Sequence, residues 1–103
     1  MGMDGRKGDQ SMIKVKNLNG TSDNAPPAGY SSWKQWWEEK KGRKFGTCSC
    51  SDCNSSAEVG AHVQKAYSTD LKWYIVPLCT GCNVGKKNVI FEVRENDLEP
   101  VNQ

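Results

Sequence analysis

The chain has 103 residues, 36% hydrophobic and 25% charged, with ten glycines, five cysteines, one histidine and a formal net charge of +2. So short and polar a chain supports one domain whose apolar core leaves little margin, and a disulfide, a metal or a partner is expected to supply the missing stability. No run approaches the ~20 apolar residues that span a bilayer, which excludes a transmembrane protein, and MGMDGRKGDQ has no apolar signal region, so the expected compartment is the cytoplasm, where cysteines bind metal more often than they pair.

Taken in order, residues 1–11 are glycine-rich, charged and aperiodic, and read as a flexible leader to a single domain over 12–99. Residues 12–15 alternate as a short strand, and residues 20–30, with Pro26-Pro27 at their centre, form a loop. A helix then starts at Ser32, whose hydroxyl and Gln35 make a capping box. Trp33, Trp36 and Trp37 fall at i, i+3 and i+4 on one face of it, and it ends near Gly42. That stripe is expected to close the core, the alternative being a platform for bases or for a protein partner. Lys40, Lys41, Arg43 and Lys44 follow at the helix end. They complement the helix dipole, and they are also the one local patch through which DNA or RNA would be bound.

Residues 58–67 and 71–76 are rich in Val, Ile, Tyr and Trp and flank Ser68-Thr69-Asp70, a hairpin pattern in which Pro77 is expected to stop the second strand. Residues 83–87 read as a short helix, 89–95 as a final strand, and the tail as a segment that folds back or frays.

The cysteines carry the strongest chemical signal. Cys50-x2-Cys53 and Cys79-x2-Cys82 are two knuckle-like pairs, and four thiolates give Zn²⁺ a closed tetrahedral shell that is structural rather than catalytic. In so small a chain the binding free energy of such a site is folding free energy. Cys48 is the alternative to Cys50, since Cys48-x4-Cys53 also closes a loop, although the two-residue spacing favours Cys50. With four thiolates and one Zn²⁺ the formal net charge falls to zero, so any contact with nucleic acid must be local.

A cysteine knuckle, GAHV (60–63) on the first strand of a hairpin, and YIVPLCTGCNVGKK (74–87) leading into a second cysteine pair together resemble the HNH endonuclease family of treble-clef zinc fingers, over about residues 48–87. The resemblance implies a small α+β domain, a zinc-stabilised ββα treble clef, to which the tryptophan helix and further strands are added. It implies His62 as general base and Asn83 as ligand of a second divalent metal, Mg²⁺, Mn²⁺ or Ni²⁺, needed only for nuclease chemistry. It also places Ala61 where the family carries an acidic metal ligand and Tyr74 where it carries the asparagine that orients the histidine. With that degenerate motif the expected function is a structural-zinc domain binding nucleic acid or a partner. A divergent nicking endonuclease and a protein-interaction module docking through the tryptophan helix are the alternatives.

Overall fold

The computed structural model describes residues 11–18, 26–70, 72–86 and 89–101. All but the last residue of the expected leader 1–11, most of the loop 20–30, Leu71, Lys87 and the last two residues lie outside them. Five strands form one antiparallel sheet: β1 (Met12–Asn17), β2 (Val59–Lys65), β3 (Tyr74–Leu78), β4 (Ile90–Arg94) and β5 (Glu99–Pro100), in the order β4-β1-β2-β3-β5. Among the described residues two α-helices, α1 (Trp33–Lys41) and α2 (Thr80–Gly85), and a 3-10 turn at Glu95–Asp97 complete an α+β fold. No helix among the described residues is long and apolar enough to cross a membrane.

Helix α1 starts as its sequence dictates. The Ser32 hydroxyl accepts from the Gln35 backbone N–H at 3.0 Å. Gln35 Oε1, however, accepts from the N–H of Ser31, one residue before the cap, at 2.6 Å. The helix ends at Gly42, which adopts φ +74° and donates its N–H to the Glu38 carbonyl at 2.9 Å. A side chain would strain that left-handed position, so glycine closes the helix.

Strand alternation gives the sheet two dissimilar faces. On one, Val15, Ala61, Val63, Val76, Leu78, Phe91 and Val93 form the larger core together with cysteine side chains. On the other, Ile75 packs against Trp36 and Trp37 of α1, flanked by Trp33, Phe45, Tyr30 and Val101. The tryptophan stripe therefore closes a core: Trp36 and Trp37 are buried and Trp33 half-buried. Trp37 keeps its indole N–H satisfied by donating to the Asp97 carbonyl at 2.8 Å.

Pro77 does not stop β3; it sits inside it, paired with Gly60. The Leu78 carbonyl points at β2, where it accepts from Glu58 N–H at 2.8 Å, so the neighbouring Pro77 nitrogen points the opposite way. On that side β5 pairs only with Tyr74 and Ile75, and no ladder bond is lost at Pro77. The tail folds back through β5, and Val101 N–H donates to the Trp73 carbonyl at 2.9 Å. Beside the start of β1 the Ser11 carbonyl accepts from Glu95 N–H at 2.9 Å.

Candidate metal centre

Two segments bring sulfur to one point under the larger core face. The first is the loop 48–53, closed by backbone bonds from Cys48 N–H to the Ser55 carbonyl (2.7 Å) and from Cys53 N–H to the Cys50 carbonyl (3.2 Å). It is fastened to the sheet by a Cys50–Val93 bridge and by Ser51 N–H donating to the Glu92 carbonyl at 3.1 Å. The second is the start of α2, where Cys79 is the N-cap and its Sγ accepts from Cys82 N–H at 3.3 Å.

The sulfurs of Cys48, Cys53, Cys79 and Cys82 all lie within 4.8 Å of one another. Those of Cys53 and Cys79 are 3.8 Å apart. A tetrahedron of thiolates at a Zn–S distance of about 2.3 Å has edges of about 3.8 Å, so the quartet needs only a small contraction to hold Zn²⁺. The donor set is soft and carries no oxygen, which suits zinc and disfavours Mg²⁺ or Ca²⁺.

The quartet contains Cys48, the second choice of the spacing argument, in the place expected for Cys50. Cys50 is itself buried and lies against the thiols of Cys48 and Cys82, beside the quartet rather than in it. Spacing along the chain counts residues; the loop decides which of them reach the shared point. Burial pushes the Cys50 thiol up to about 11 and raises that of Cys48. Cys53 is lowered to about 7 by hydrogen bonds from the Ser55 backbone and hydroxyl. Cys82 is raised by burial and by the surrounding thiols.

His62 and Asn83 are not brought together. His62 pairs with Ile75 across β2 and β3, and both belong to the α1 face. Its ring meets Trp33 edge-on at 4.9 Å between centroids and Trp73 at 5.8 Å. The residue is 6% exposed, its Nε2 has no hydrogen-bond partner, and burial lowers its pKa. Asn83 sits in α2, on the cysteine side, where its Oδ1 and carbonyl accept from Asn17 Nδ2 at 3.2 and 3.1 Å. Asn17 pairs with Val63, which faces the cysteines, so the sheet itself stands between Asn83 and the histidine ring. The two carboxylates nearest in sequence are also engaged elsewhere: Glu58 accepts from Thr80 N–H at 2.9 Å, and Asp70 accepts from the Tyr74 hydroxyl.

The basic cluster is split by the fold. Lys41 donates to the Leu98 carbonyl at 2.7 Å and pairs with Glu99, and Arg43 reaches Asp97, while Lys40 is exposed and Lys44 extends into solvent with Glu38 3.8 Å away. Asp97, buried and bound by two arginines, is the polar residue the sequence reading missed. Its only sequence signal was an acidic residue after a strand, which does not announce burial. No family model, curated protein or solved structure matches the chain.

Proposed function

We propose that the protein is a small structural-zinc domain, with Cys48, Cys53, Cys79 and Cys82 as ligands, that serves as a binding module rather than a catalyst. The observation that carries this reading is the closed four-sulfur cluster on the core face of the sheet. The order of parts supports a treble-clef arrangement: a cysteine loop, the β2–β3 hairpin, then α2 with two ligands in its first turn. Four thiolates leave zinc no open position, so the metal's work is to join the loop to the helix and thereby to fold the chain. A histidine wedged between indole rings with an orphaned nitrogen, on the opposite face from Asn83, favours packing over general-base chemistry.

Protein prepared without chelator should contain about one zinc per chain, and removal of the metal should abolish its dispersed NMR spectrum. A chain that is fully folded without metal overturns the proposal. Supercoiled plasmid incubated with the protein and Mg²⁺, Mn²⁺ or Ni²⁺ should stay intact; nicking that disappears in His62→Ala would restore the endonuclease reading.

A further inference from the structure

A second polar centre adjoins the cysteine loop, built from residues that the zinc reading leaves idle. The carboxylate of Asp97, a residue only 3% exposed, is shared by two guanidinium groups: Arg43 Nη2 donates to Oδ1 at 2.8 Å and Arg94 Nε to Oδ2 at 2.9 Å. The Ser49 hydroxyl donates to the same Oδ2 at 2.8 Å and accepts from Arg94 N–H at 3.0 Å. Arg94 Nη2 donates onward to the Thr47 carbonyl at 2.8 Å, and the Arg43 guanidinium lies 4.8 Å from the centre of the Trp37 ring.

Both arginines are thus held in fixed orientations without being neutralised, since one carboxylate faces two guanidinium groups. Lys44 adds a third cation, its side chain 88% exposed and its Nζ 3.8 Å from Glu38 Oε1 at the rim. All three line an open cavity of about 320 Å³ together with Thr47, Asn96 and Asp97, so three cations face one carboxylate there. Asp97 and Asn96 engage Nη2 of Arg43, while Nη1 of Arg43 and of Arg94 has no acceptor among the described residues. A ligand for this cavity must be an anion that takes several N–H donors from planar forks, and a tetrahedral oxyanion does so better than a halide.

We propose that Arg43, Arg94 and Lys44 form a receptor for a phosphate oxyanion, with buried Asp97 and Ser49 as the buttress that aims the arginines. The site uses no cysteine and goes beyond the zinc reading. Ser49 lies between Cys48 and Cys50, so ordering of the cysteine loop also orders the buttress.

The test is a titration of isotope-labelled, zinc-loaded protein with inorganic phosphate at constant ionic strength, following the Arg43 and Arg94 Nε–H signals and the Thr47 and Asn96 amides. Saturable shifts are expected. Arg43→Gln should weaken binding about tenfold, the worth of a charge-assisted hydrogen bond. Lys44→Gln should weaken it about two- to fivefold, as befits an exposed charge. Lys44 lies in solvent, so its variant keeps the test decisive if Arg43→Gln loses its fold. A short oligonucleotide without terminal phosphates identifies the source. If it displaces phosphate from these residues, the ligand is a backbone phosphodiester; if not, it is free phosphate or a monoester, and the receptor stands either way. Signals that do not move, that move equally with acetate or chloride, or that ignore Lys44→Gln overturn the proposal. Zinc content measured on each sample separates this outcome from failure of the metal reading.

Discussion

Cys48 and Cys50 differ by two positions, yet the structure gives them different places. Both thiols lie on the cysteine side while Ser49, at a bend between them, turns to Asp97. Only Cys48 joins Cys53, Cys79 and Cys82. Cys48→Ser should therefore lower zinc content well below one per chain and leave the protein unfolded, whereas Cys50→Ser should keep both metal and fold; metal analysis with NMR dispersion of the two variants decides between them. His62 carries a second residue-scale consequence. Burial lowers its pKa below the ordinary 6.5, so the unfolded chain binds the proton first. Its contribution to stability is complete above pH 6.5 and is lost as the pH falls from there toward the folded-state pKa. Glu58 and Asp70, whose pKa values are lowered by hydrogen bonds from Thr80 and Tyr74, lose their contributions only at lower pH. Urea midpoints of wild type and His62→Phe between pH 7.5 and 5 should diverge, the wild type falling faster. Parallel curves would show that the ring does not titrate against folding, because release of zinc from protonating thiolates is common to both proteins.

At the scale of elements, the contact of α1 with the sheet depends on one missing side chain. A Cβ on Gly60 would stand 2.9 Å from Ile75 Cγ2, 3.0 Å from Trp33 Cβ and 3.2 Å from the Trp33 backbone carbon. Gly60→Ala must displace the first turn of the helix, and should destabilise by about 1–3 kcal/mol as other overpacked sites do. Urea unfolding followed by tryptophan emission measures it, and a change below about 0.5 kcal/mol would mean that the helix yields without cost. The helix was legible because its signals are local: Ser32 at the cap, tryptophans spaced three and four apart, Gly42 at the end. The hairpin was legible for the same reason. Pro77 was misread because the rule that proline leaves strands concerns its nitrogen's partner, and whether a partner exists depends on how far β5 runs along β3. Strand β5 is two residues long and carries no pattern of its own; it forms because β3 offers it an edge.

For the molecule as a whole, one sheet separates an indole-lined face from a sulfur-lined one, and Ser49, Asp97 and Trp37 connect them through hydrogen bonds at 2.8 Å. With a core this small, loss of either face should melt the other. Addition of a zinc chelator should therefore shift the emission of Trp36 and Trp37, which touch no cysteine cluster, in the same transition that removes signals of Val63 and Val93. Indole emission that stays native after the cysteine face has melted would show two independent units. The sequence by itself determined the tryptophan helix, the β2–β3 hairpin and the two cysteine pairs, because each is written in neighbours within a few residues. Only the tertiary structure decided that Cys48 takes the place expected for Cys50, that His62 and Asn83 stand on opposite faces, and that Asp97 gathers Arg43 and Arg94. Those outcomes depend on strand parity and on which distant segments share a face, and the spacing of residues along the chain carries neither.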